Sequence, residues 1–180
     1  GINIWCPLVD LTSENGAIEV LPKSNRLHDT YRGSSIPDIY DGIETEVKSL
    51  MTSMELKAGE ALIFDQSIMH YSPPNMSGEE RPVINTFVAH KDAQLRVCYW
   101  NREKQPPKIE IFNQEDDLLL NYKQFGTNIF NRPEIGESQG LFDYDFPKVT
   151  IDDLVEHYGF VPMKEEVETQ SIWQKLKFWK

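Results

Sequence analysis

Over the first hundred residues the apolar positions come in short runs, each closed by glycine, proline or small polar residues, and not at the spacing of a helical face. Asn3 to Leu11 is strand-like, Ser13-Glu14-Asn15-Gly16 is a tight turn, and Ala17 to Leu21 alternates as a returning strand, which together predict a hairpin. Residues 23–48 carry Gly33, Pro37, Gly42 and many charges, and predict an irregular excursion over one end of a sheet. Met54 to Lys57 is a short strand, Ala58-Gly59-Glu60 a turn, and Ala61 to Asp65 an apolar strand leading to His70. Pro82 to His90 and Leu95 to Trp100 are two further strands. Segments this short and this regularly punctuated predict a mainly β, antiparallel architecture.

After residue 100 the pattern changes. Glu115 to Phe125 is helix-compatible through Leu118, Leu119, Leu120 and Tyr122, whereas 126–148 has no clear period. Thr150 to Tyr158 predicts a better helix, with Thr150 as N-cap, Asp152 and Asp153 in the first turn against the helix dipole, and Gly159 as the stop. Its apolar residues Ile151, Leu154, Val155 and Tyr158 fall on one face. There is no repeat, linker or second core pattern. The expected organisation is one domain over 1–180, with a β core at 3–100 and a helical and irregular extension at 101–180.

Composition narrows the partners. At 180 residues, 39% of them hydrophobic and 26% charged, the chain lies in the globular range. A net charge of −11 argues against nucleic acid, whose phosphates call for a basic face. No apolar stretch approaches the roughly 20 residues of a membrane span. Cys6 and Cys98 are too few for a disulfide framework, so a reducing, cytoplasmic setting is expected. Asn75-Met76-Ser77 has the form of a glycosylation sequon and is read as loop. The opening segment, Gly1-Ile-Asn-Ile-Trp5, is already an apolar strand, so an N-terminal portion of the fold is expected to lie before it.

One stretch carries candidate chemistry: His70-Tyr-Ser-Pro-Pro-Asn-Met-Ser-Gly-Glu-Glu-Arg81. A neutral imidazole at a strand end can ligate a divalent transition metal, and an arginine on a neighbouring strand can hold a carboxylate through parallel hydrogen bonds. A short loop between antiparallel strands would bring the two into one cavity. Alternation puts Val83, Asn85 and Phe87 on the face of Arg81, and Ile84, Thr86, Val88 and His90 on the other. From residue types alone, a turn histidine and a solvated arginine remain the simpler reading.

An ordered set of residues goes further. Trp5 precedes Asp10-Leu-Thr-Ser-Glu-Asn-Gly16 and Ala17-Ile-Glu-Val-Leu-Pro22-Lys-Ser; Lys57-Ala-Gly59-Glu-Ala-Leu-Ile-Phe64-Asp65 comes next, and then His70, Ser72, Asn75 and Arg81. Over residues 3–90 this set resembles the phytanoyl-CoA dioxygenase family, enzymes of the double-stranded β-helix (jelly-roll, cupin-like) fold that depend on iron(II) and 2-oxoglutarate. The resemblance implies an oxygenase that consumes 2-oxoglutarate and O2 and hydroxylates a small molecule. It implies that His70 is the distal histidine of a 2-His-1-carboxylate iron site and that Arg81 binds the far carboxylate of 2-oxoglutarate. Ser72 and Asn75 match loop positions near that cavity, and Trp5 a barrel-lining strand position.

The family's remaining ligands, written His-x-Asp, belong upstream of Trp5. Two alternatives arise: the pair precedes Gly1 in a longer protein, or the chain keeps one ligand of three and binds iron poorly. His28-Asp29 is a poor substitute, because adjacent strand residues face opposite ways. Asp10 and Asp65 read as turn residues, and Asn25 stands where the family has a histidine after Pro-Gly-Ser. Segments 26–50 and 100–148 are expected to shape substrate choice. The alternative function is a non-catalytic β-helix module that binds a ligand or partner without an iron site. In the tail, Ile172, Leu176 and Trp179 at helical spacing with Lys175, Lys177 and Lys180 would suit a partner or a membrane surface, although packing on the domain itself is the simpler expectation.

Overall fold

The computed structural model describes residues 1–27, 30–115 and 130–161. Its elements are β1 (Ile2–Pro7), β2 (Glu19–Val20), α1 (Glu44–Ser49), β3 (Thr52–Ser53), β4 (Leu62–Asp65), β5 (His70–Tyr71), β6 (Val83–Val88), β7 (Leu95–Asn101), β8 (Lys108–Gln114), β9 (Glu137–Phe142) and α2 (Ile151–Tyr158). The strands form three antiparallel sheets of three, ordered β4-β1-β6, β3-β2-β5 and β7-β8-β9. The architecture is therefore mainly β and antiparallel, as expected.

The expected hairpin at the start of the chain does not form, because β1 and β2 lie in different sheets. β1 is the centre of the first sheet, with Trp5 opposite Leu62 on β4 and Asn85 on β6. β2 is the centre of the second, with Val20 opposite Thr52 and His70. The turn between them is closed on itself. Asn15 holds a compact loop by donating its Nδ2 to Asp10 O and accepting from Thr12 N, and the chain folds over instead of returning alongside β1. From β1 to β6 the chain then passes back and forth between these two sheets. The strand expected at Met54–Lys57 does not form, β3 being the two residues before it; Met54 and Leu56 instead join the layers through Met54 N to Ile18 O and Leu11 N to Leu56 O.

Alternation puts Asn3, Trp5 and Pro7 of β1 on its buried face. With Leu11, Ala17, Ile18 and Phe64, Trp5 forms one core between the first two sheets. A second core gathers Leu21, Ile39, Tyr40, Val47, Val149 and Leu154, which joins the 23–48 excursion to α2.

The expected helical extension is realised in α2 but not in the rest of the described C-terminal half. The Thr150 side chain accepts from Asp153 N, the Asp153 side chain accepts from Thr150 N in return, and Gly159 caps the C-terminus at φ 65°. Residues 108–114 and 137–142, in contrast, are strands that complete the third sheet with β7. Glu110 hid β8 from a sequence reading, because a carboxylate in mid-strand reads as solvent-facing. Here it is buried and held by Arg132 through Oε1–Nη2 at 2.6 Å and Oε2–Nε at 2.9 Å, with Ser138 Oγ donating to Oε1. The helix expected at 115–125 and the 171–180 tail fall almost wholly or wholly outside the described residues. Among the described residues no helix is long and apolar enough to cross a membrane.

Candidate functional site

The site lies between the first two sheets and is built from the ends of β2, β5 and β6. A turn sets the position of β5. Ser24 is fully buried, and its Oγ accepts from Met69 N at 2.8 Å, while Leu21 N donates to Met69 O. Asn25, standing at the family's histidine position, donates to Asp65 Oδ2. The turn is made despite Lys23, which occupies the left-handed conformation at φ 66° where the family pattern has glycine. These bonds align the chain from Asp65 to His70.

His70 is half-buried. Its Nδ1 lies 2.7 Å from Ile68 O, and its ring meets Phe64 edge to face with centroids 4.8 Å apart. A carbonyl can only accept, so this contact calls for a proton on Nδ1. That leaves the Nε2 lone pair free to act as a metal ligand. Strand alternation puts His70 and Ser72 on one side and Tyr71 on the other, where Lys48 Nζ lies 5.8 Å from the Tyr71 ring centroid.

Arg81 is held from three directions. Its Nη1 donates to Gly16 O at 2.8 Å and to Ser72 Oγ at 3.2 Å, and its guanidinium carbon lies 5.9 Å from the centroid of the Trp5 ring. Gly16 belongs to this clamp for a backbone reason. It sits at φ 79°, and a Cβ there would run into Pro73 O. The Nε of Arg81 is buried and has no hydrogen-bond partner among the described residues. A buried charged donor left in this state costs about 1–3 kcal/mol or more, and a carboxylate oxygen would remove that cost.

Of the residues singled out from sequence, Trp5, Ser72 and Arg81 are brought into direct contact, and His70 shares the strand face of Ser72. Asn75 is engaged in its own loop: Nδ2 donates to Glu79 O, and Oδ1 accepts from Ser77 N and Ser77 Oγ. No hydrogen bond links it to Arg81 among the described residues. Asp10 and Asp65 behave as turn residues. The Ala58 amide and then Lys57 hold the Asp10 carboxyl below its usual range, and the Ser67 hydroxyl and amide do the same for Asp65. His28 and Asp29 lie outside the described residues. Among the described residues no three His, Cys, Asp or Glu side chains form a group able to hold a metal ion. Sequence reasoning missed the carbonyls of Gly16 and Ile68, for which side-chain chemistry offers no signal. It also missed Phe64 as the wall behind His70, although the apolar run 61–65 contained it.

The fold and site define an antiparallel β protein in which Arg81 is tied to Gly16, Ser72 and Trp5, with His70 two residues from Ser72 on the same strand face. The profile of the phytanoyl-CoA dioxygenase (PhyH) family matches residues 1–83. A curated relative from Dictyostelium discoideum, a phytanoyl-CoA dioxygenase domain-containing protein 1 homolog, is 33% identical over 86 residues, covering 43% of this chain and 31% of the relative. The similarity to the phytanoyl-CoA dioxygenase family lies in this N-terminal segment. The chain aligns with less than a third of the length of the curated relative.

Proposed function

We propose that the chain carries the 2-oxoglutarate-binding part of an iron(II)/2-oxoglutarate-dependent oxygenase that hydroxylates a small molecule. The observation that carries this reading is the buried, unpartnered Nε of Arg81, next to an Nη1 already tied to Gly16 O and Ser72 Oγ. A guanidinium pinned by one nitrogen presents its other donors in a fixed direction, which suits the far carboxylate of 2-oxoglutarate. The guanidinium lies over the Trp5 ring, and Ser72 offers a hydroxyl at its edge. The passage of β1 to β6 back and forth between two sheets supports a double-stranded β-helix.

For iron the described residues supply a single fitting ligand, Nε2 of His70. The chemistry that iron(II) supplies in this family is the coupling of 2-oxoglutarate and O2 consumption to hydroxylation. This chain's own part is to orient the cosubstrate by charge and to keep the His70 ring in one tautomer through Ile68 O. We read residues 1–180 as one domain, because the third sheet and α2 both grip the 31–41 segment. The free, half-buried Cys6 and Cys98 fit a cytoplasmic setting.

The test is calorimetric titration of 2-oxoglutarate into the full-length protein and its Arg81→Ala variant. Loss of a charged hydrogen-bonding partner should weaken binding by roughly 10- to 100-fold, equivalent to about 1.5–3 kcal/mol. Equal affinity in the two proteins would reject the assignment.

A further inference from the structure

A second arginine, Arg32, has no role in the site described above. Arg32 lines the wall between two adjoining cavities. The first, of about 190 Å³, is bounded by Tyr31, Ile36, Pro37, Ile39 and Met69 among others. The second, of about 480 Å³, is more polar and includes Asn25, Thr30, Asp65 and Ser67. Met69 packs with Leu21, Ile39 and Tyr40, so the apolar cavity opens on the side of the second core.

The Arg32 guanidinium is positioned but not neutralised. Its Nη1 donates to Ser67 O, and no carboxylate lies within ion-pair distance among the described residues. The two nearby acids are occupied elsewhere: Asp38 Oδ1 accepts from Tyr40 N, and Asp65 accepts from Ser67 and Asn25. In a chain of net charge −11, a fixed cation at the mouth of an apolar cavity is a selective feature.

The segment that carries it is clasped by residues beyond the family match. Trp100 N donates to Ser35 Oγ at 2.9 Å, Tyr31 N donates to Tyr144 Oη at 3.0 Å, and Val149 N donates to Ile39 O at 2.7 Å. Gly33 lies so close to β7 that a Cβ there would strike Cys98 O. The cavity wall is thus built in advance of any ligand.

We propose that this pair of cavities is a ligand site in its own right, and that it takes a small monocarboxylate whose charge pairs with Arg32 and whose short apolar body lies against Ile36, Pro37 and Met69. A single negative charge is favoured over a phosphate ester, because Asp38 and Asp65 on the same walls would repel a dianion. The apolar arm limits size, since about 190 Å³ holds roughly six waters' worth of volume. This inference stands on Arg32 and the two cavities and goes beyond the oxygenase reading.

Hexanoate is a suitable probe, with hexylamine and hexyl phosphate as charge controls, titrated into the full-length protein alongside 2-oxoglutarate. Saturable hexanoate binding that falls at least tenfold in Arg32→Gln, recovers in part in Arg32→Lys, and is lost in the cavity-filling Ile36→Trp is the expected result, with 2-oxoglutarate affinity in Arg32→Gln within twofold of the parent. Hexanoate binding that is absent, indifferent to Arg32, or matched by hexylamine would overturn the inference, and a preference for hexyl phosphate would overturn the monocarboxylate. Failure of 2-oxoglutarate to bind the parent while hexanoate binds through Arg32 would instead remove the oxygenase reading and leave the anion site standing.

Discussion

At the scale of single residues, buried charge sets the terms. Glu110 is 8% exposed at its side chain, whereas Arg132, its partner, is 51% exposed. Arg132 holds the Glu110 carboxyl below the usual glutamate range, with the Ser138 hydroxyl helping. A carboxylate whose folded pKa is depressed stabilises the fold above the ordinary value of about 4.3, and that contribution is lost as pH falls through the folded value. Arg132→Ala would strand the buried carboxylate and should cost about 2 kcal/mol at pH 7, less than a fully buried pair because Arg132 is half in water. Urea unfolding should show the gap between variant and parent narrowing below about pH 4. A gap that stayed constant would mean that the pair contributes packing and not charge. The same reasoning governs Arg81, whose buried, unmatched Nε makes it a candidate ligand anchor.

At the scale of elements, end signals decide how well a segment reads from sequence. Thr150, Asp153 and Gly159 mark both ends of α2, and the helix forms between them with the expected caps. Thr150→Ala removes the acceptor for Asp153 N and should cost about 1 kcal/mol, lowering the melting temperature by about 2–4 °C. An unchanged melting temperature would show that packing of Leu154 alone holds the helix. The 13–16 turn was legible as a turn but not as a change of sheet. Its side-chain bonds from Asn15 lie within the loop, while the choice of partner for β2 depends on Thr52 and His70 far along the chain. β8 was invisible for a related reason. Its buried glutamate is tolerable only with Arg132, which is 22 residues away.

At the scale of the whole molecule, the part of the chain outside the family match shapes a cavity beside the part within it. The 31–41 segment is held by β7, Tyr144 and Val149, and further by Lys148 Nζ to Asp41 Oδ2 at 2.7 Å. Ser35 is the buried member of this clasp. Ser35→Ala leaves Trp100 N without its acceptor, so stability should drop by about 1 kcal/mol and amide exchange should accelerate across 35–41 and at Trp100. Exchange that quickened only at Trp100 would show that the segment stands without the third sheet.

The sequence by itself determined that the chain is strand-rich and where most of its strands and its best helix lie, because alternation, turn residues and caps act over a few neighbours. It also brought forward His70, Ser72 and Arg81 as an ordered set. Tertiary structure alone decided which strands share a sheet, that Gly16 O and Ile68 O orient the arginine and the histidine, and that Arg32 has no carboxylate partner among the described residues. Those outcomes rest on backbone groups and on residues distant in sequence. Every peptide unit offers the same carbonyl and amide, so only the fold determines which of them a given side chain meets.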